Sequence, residues 1–278
     1  MSDRLKRVRF ATLAMVTLAA PGSAMAQGID DKYWVELGGY LPKVDSQVRV
    51  ATAAGPNLAT TIDLEADLDL DSRELLPQVN AGVRLGDGGW SLDAEYYALR
   101  REATASIRRE IVFDDATYPV GVSVRSNFDS SIYRATVGYA FVRSPNTRIG
   151  AAIGLHATDF EVGLSGEARL GELTTQAVAR RRTFLAPLPT VGVFVRQQIL
   201  ADVTVSARAD YLSLKIDDYS GRLLNAQASV VWQFARNLGL GAMYRHVDYR
   251  VDVEKERWNG RLKYRFSGPA LFVRVGFP

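Results

Sequence analysis

The feature that most constrains this chain is a period of two. Along Leu224-Ala226-Ala228-Val230-Trp232-Phe234 every second residue is apolar, with Asn225, Gln227, Ser229 and Gln233 between them. The same dyad returns in Leu75-Pro77-Val79-Ala81-Val83-Leu85, Trp90-Leu92-Ala94-Tyr96, Tyr133-Ala135-Val137-Tyr139-Phe141 and Val203-Val205-Ala207-Ala209-Tyr211. Successive side chains of a strand point to opposite faces, so each segment has one apolar and one polar face. A soluble sandwich shows this alternation too. Strand length, aromatic placement and connections separate the two architectures.

Aromatic residues cluster near the strand ends: Tyr33 and Trp34, Trp90, Tyr139 and Phe141, Trp232 and Phe234, and Phe277. Interfacial girdles of a membrane barrel belong there. Short connections at 86–89, 144–147, 198–202 and 235–237 alternate with long ones at about 42–74, 102–129, 160–184, 215–221 and 252–259. Outer-membrane barrels have short periplasmic turns and longer outer loops. The expected fold is therefore all-β, an antiparallel up-and-down transmembrane β-barrel of ten strands with both termini in the periplasm. Eight or twelve strands stay open, because a hairpin wholly outside the membrane is easily miscounted. Ten strands of about 10 residues use only about 100 residues. Continued alternation through 103–128 and 158–184 predicts hairpins extending beyond the outer surface.

The start of the chain sets the compartment. Arg4, Lys6, Arg7 and Arg9 precede an apolar run from Phe10 to Ala20, and Pro21-Gly22-Ser23 leads to Ala24-Met25-Ala26. This pattern predicts a signal peptide over residues 1–26, cleaved before Gln27, and a barrel domain over 27–278. Without that segment Lys plus Arg falls from 34 to 30 and Asp plus Glu from 31 to 30, so the mature chain is about neutral. A nucleic-acid partner loses its electrostatic support. The chain has no Cys, which excludes disulfides and thiolate chemistry. No run of 18 apolar residues follows Ala26, so no spanning helix is expected. No cofactor or metal is expected.

At the carboxyl end, Leu271, Val273, Val275 and Phe277 alternate with Ala270, Phe272, Arg274 and Gly276. This resembles the closing strand of Gram-negative outer-membrane β-barrel proteins of the small-to-medium class. The resemblance implies outer-membrane insertion, with Phe277 as the terminal aromatic recognised by the barrel assembly machinery. Pro278 after Phe277 departs from that pattern.

With the apolar face toward lipid, Glu36, Gln78, Asn80, Arg84, Asp93, Glu95, Arg134, His156, Arg208, Asp210 and Arg274 face the lumen. Unpaired charges are costly in so narrow a space, so a salt-bridged, plugged interior is expected, with a narrow polar channel as the alternative. A wide porin needs 16 or more strands. The expected role is therefore structural or that of a narrow, porin-like passive route, without catalysis. A surface binding or adhesion module acting through the outer hairpins is the second reading. A lipid- or peptide-cleaving hydrolase is the third. It rests on His246 with Asp248 two residues on, since His156 and His246 are the only histidines.

Two outer segments carry unusual charge. Read as a strand, residues 62–71 place Asp63, Glu65, Asp67, Asp69 and Asp71 on one face, which disfavours a calcium loop. Arg180-Arg181-Arg182, with Arg108 and Arg109, is the basic counterpart. The two segments pair with each other or stay solvated, or either meets lipopolysaccharide phosphates, which Arg matches geometrically.

Overall fold

A computed structural model describes residues 31–52, 59–86, 89–170, 176–216, 219–255 and 258–278. The expected signal peptide and its cleavage site lie outside the described residues. The strands are β1 (Tyr33–Tyr40), β2 (Lys43–Thr52), β3 (Ile62–Asp63), β4 (Leu76–Leu85), β5 (Trp90–Ser106), β6 (Ile111–Phe113) and β7 (Ala116–Tyr118). They continue as β8 (Ser123–Arg143), β9 (Thr147–Leu170), β10 (Gln176–Leu200), β11 (Val203–Ile216), β12 (Tyr219–Ala235), β13 (Leu238–Lys255) and β14 (Trp258–Phe277). One helix, α1, covers Leu64–Leu68.

Ten of these strands close a ring, in the order β1-β4-β5-β8-β9-β10-β11-β12-β13-β14, with β14 returning to β1. All the pairings are antiparallel, and closure runs from Tyr33 opposite Phe277 to Tyr40 opposite Ala270. After Leu41-Pro42 the chain resumes as β2 and stays on β14, so β1 and β2 form one interrupted strand. A closed ring leaves no unpaired edge, which lipid does not tolerate. Strands of 21, 24 and 25 residues in β8, β9 and β10 are more than twice the length needed to cross. The segments 160–184, 215–221 and 252–259, expected as long connections, are therefore mostly strand: pairing continues from His246 opposite Ser267 up to Lys255 opposite Trp258.

Along these strands the phase is kept while its chemistry inverts. In the lower part of β8, Tyr133, Val137 and Tyr139 face out while Arg134 and Thr136 are buried. Higher up, Val124 and Phe128 are buried and Arg125 and Asp129 lie on the opposite face. On β14, Leu271 and Val273 face out beside buried Arg274, whereas Leu262, Tyr264 and Phe266 are buried and Arg261, Lys263 and Arg265 face out. The lower half has the surface of a membrane barrel. The upper half is built like a water-soluble barrel with an apolar core.

That upper core is filled by its own insertions. Leu64 and Leu68 of α1, with Ile62, Leu70, Ile111, Phe113 and Tyr118, pack among the strand residues Val48, Phe128, Phe160, Tyr249 and Tyr264. Phe128 lies 5.4 Å from Tyr264, and Phe160 5.4 Å from Tyr249, between ring centroids. Each buried aromatic contributes about 2–3 kcal/mol, so this core is a main source of stability above the bilayer. The acidic run 62–71 is thus not the strand its alternation suggests. Asp63 caps α1 by accepting from the Ala66 N–H at 2.8 Å, and Asp69 ends the helix at φ 54°. A single turn lets Leu64 and Leu68 face the core together, which a strand register also allows. The helix is closed at both ends by its caps, which satisfy backbone groups of its first and last turn.

Candidate functional site in the lumen

Alternation brings the inward charges of the lower half to one level. Glu95 on β5 lies 3.0 Å from Arg134 on β8, and Arg134 reaches Asp210 on β11 at 3.1 Å. Asp210 also accepts from Arg208 at 2.8 Å, and Arg208 donates to Thr136 at 3.1 Å. Arg245 on β13 completes the crossing by pairing with Glu95 and donating to Gln227 at 2.8 Å. Its guanidinium sits between the rings of Tyr40 and Tyr97, 5.6 and 5.1 Å from their centroids. Strands from opposite sides of the ring are joined through charges 1–4% exposed, apart from Arg208 at 13%. Charges so deeply buried are tolerated because each has an opposite partner or several donors.

Below this level, Arg274 pairs with Glu36 at 2.7 Å and with Asp31 at 3.2 Å. Trp34 is packed there between Arg196 and Arg274, 5.3 and 5.2 Å away. Trp34 is therefore a lumen residue rather than part of the aromatic girdle. A small polar cavity of about 140 Å³ remains between the network and the short turns, lined among others by Glu36, Asn80, Arg84, Asp93 and Arg208. Asp93 accepts from Ser91 at 3.4 Å. His156 is 2% exposed and stacks 6.0 Å from Tyr249. Above the network, Arg101 pairs with Glu65 of α1 and donates to Ser46 at 2.8 Å, tying the plug to the wall.

All nine expected lumen charges, Glu36, Arg84, Asp93, Glu95, Arg134, His156, Arg208, Asp210 and Arg274, fall on the inward face or its lining. The structure divides eight of them between two clusters and a cavity, while His156 lies apart beside Tyr249. Asp31, Arg101, Arg196 and Arg245 were not foreseen. Arg245 was hard to see, because its face also carries Met243 and Val247 while the outward face carries Tyr244 and His246. Its neighbours gave no sign of which side was polar.

The histidine pair proposed for hydrolysis is arranged differently. His246 and Asp248 face outward. His246 Nδ1 lies 2.6 Å from Ser267 Oγ, and Asp248 pairs with Arg265 at 3.2 Å. At the outer mouth, Arg180 and Arg182 pair with Asp115 and Asp114 of the β6–β7 turn, and Arg109 pairs with Asp67. The Arg180 guanidinium donates to Asp115 and holds its carboxyl below the usual carboxylate range. Among the described residues no group of three or more His, Asp or Glu side chains could hold a metal ion.

No family model and no curated protein matches this chain. Among solved structures, the outer-membrane protease OmpT of Escherichia coli aligns with a TM-score of 0.53 at 9% identity, over 88% of this chain and 97% of that one. The Pseudomonas putida toluene transporter TodX gives 0.36 at 10% identity, over 89% and 90% of the two chains. A Pseudomonas aeruginosa FadL homologue gives 0.39 at 9%, over 89% and 91%. The chain has the fold of a Gram-negative outer-membrane β-barrel, with ten strands in its ring.

Proposed function

We propose that this chain is a closed, non-enzymatic barrel of the outer membrane with a structural role, exported by a signal peptide over residues 1–26. The observation that carries this reading is the double filling of the lumen. The ion network around Glu95 and Arg134 crosses the barrel at one level, and the apolar plug of α1 and β6–β7 closes it above. A conducting route needs a continuous wet path, and the packed apolar core around α1 and β6–β7 interrupts it. Reconstitution of the full mature chain in planar lipid bilayers tests it. The expected trace is flat at physiological salt, whereas discrete, reproducible conductance steps would return the narrow-channel reading.

The outward setting of His246 and Asp248, each engaged by another partner, favours a non-catalytic barrel. OmpT is a protease by its printed name, so peptide cleavage is the assay to run. No turnover is expected from the purified protein. A second reading, surface binding through the upper barrel, is favoured by the length of β8 to β10. Its test is adhesion by cells displaying the protein.

A further inference from the structure

The outer wall is not uniform around the ring. Arg222 on β12 stands directly opposite Arg250 on β13, and Arg250 directly opposite Lys263 on β14. All three face outward and are exposed. Like charges directly across a ladder destabilise it, so three in a row call for a counter-charge. Arg250 has Asp252 at 3.1 Å, but neither Arg222 nor Lys263 has an ion-pair partner among the described residues. With Arg265 they line one concave patch, in which Asp45 and Asp248 are the only carboxylates. Across the ring the wall is of mixed charge and already paired: Asp129 on β8 stands opposite Arg100 on β5, and Arg125 and Arg181 pair with Glu102 and Glu161.

The height of the cationic row is set by its own strands. Trp232 lies at the lower girdle, and Leu224 and Tyr211, opposite one another, are the last apolar pair of outward residues on β12 and β11. The eight residue steps from Trp232 to Leu224 rise about 20 Å at ordinary strand pitch and tilt, close to the apolar height of a barrel in this membrane. Arg222 is one dyad above Leu224, hence about 5 Å above the hydrocarbon edge. Below the row, outward Ala207, Ala209, Ala226, Ala228 and Ala242 leave shallow apolar grooves walled by Tyr244. Small side chains there let an acyl chain approach the wall beneath a bound headgroup.

We propose that the Arg222–Arg250–Lys263 row is a docking site for one phosphorylated glycolipid of the outer leaflet, lipopolysaccharide. Its phosphates would lie on the row and one acyl chain in the alanine-lined groove. The site requires membrane insertion but not a closed lumen, so conductance measurements leave it untouched. The test uses the full mature chain in detergent and native mass spectrometry with lipopolysaccharide carrying its glucosamine phosphates. One lipid per barrel is expected to stay bound, and Arg222→Gln/Lys263→Gln should weaken it about 30-fold, from two lost cations near an anionic surface. Arg100→Gln/Arg125→Gln on the opposite side should bind like the parent. Unchanged heat-modifiable migration shows that each variant is folded. Parent-like binding by the Arg222/Lys263 variant overturns the assignment, as does equal binding of dephosphorylated lipid. Equal binding of phosphatidylglycerol vesicles overturns it in favour of a general anionic patch.

Discussion

Arg134 and Glu95 stand directly opposite one another on β8 and β5, and their side chains meet at 3.0 Å with each only 4% exposed. Register and charge agree at this pair, and Arg134 carries the contact on to Asp210. Removing the guanidinium leaves Glu95 to Arg245 alone and Asp210 to Arg208 alone. Arg134→Ala should cost about 3 kcal/mol, the range for breaking a buried pair from one side. The measure is the melting of the folded, fast-migrating band on a gel in detergent. Wild-type melting would mean that water enters the network and that the lumen is not closed at this level.

The membrane half of this arrangement was legible in the sequence because one rule governs it: the outward face must be apolar and the inward one need not be. Leu271, Val273 and Val275 against Arg274 follow that rule residue by residue. The upper half obeys the opposite rule with the same period, and alternation alone does not say which face is inside. Phe128 and Asp129 therefore read like Tyr133 and Arg134, although the structure turns the apolar member of the first pair inward. The acidic run 62–71 failed for a related reason. Leu64, Leu68 and Leu70 are spaced for a strand and for a helical turn alike, and the caps at Asp63 and Asp69 close the helical turn. Asp31 was missed because it precedes β1 and so falls outside the alternation.

The outer mouth should loosen in acid. Asp115 is held below its ordinary value of 3.8 by the hydrogen bond from Arg180. A carboxyl depressed in the folded state adds stability that is present above the unfolded value and is lost as pH falls through the folded one. Closure of the β6–β7 hairpin should thus be constant from neutral pH down to about pH 4 and weaken below it. Protease nicking between residues 107 and 122 reads this directly. Asp115→Asn should show the acid-type nicking already at pH 7, and an identical pattern in the two proteins at every pH would remove this contact from the closure.

Orientation follows from the lengths of the connections. The turn at 144–147 joins β8 to β9 at the end where the lumen is polar, while Arg180 lies on the upper part of β10 beside the β6–β7 turn. An epitope inserted at 144–147 should be hidden from antibody on intact cells. One placed beside Arg181, whose side chain is exposed, should be labelled. Labelling of the first without the second would invert the barrel.

The carboxyl end is where closure and assembly meet. Phe277 stands opposite Tyr33, both 44–49% exposed toward lipid, and the Phe277 carbonyl accepts from the Lys32 N–H at 2.6 Å. This is the lowest rung of the seam joining β14 to β1. Seven further pairs above it depend on the same alignment. An open seam would expose backbone groups that each cost several kcal/mol in lipid, so a weakened seam should show as lost assembly rather than as lower stability of an assembled barrel. Phe277→Ser removes the apolar girdle contact while keeping the backbone bond. It should sharply reduce the amount of heat-modifiable protein in purified outer membranes. Deleting Pro278 removes an exposed residue outside the strand, and folded protein should stay at the parental level or rise. Parental levels of Phe277→Ser would show that the backbone ladder suffices at the seam. A loss confined to the Pro278 deletion would show that the terminal proline takes part in assembly.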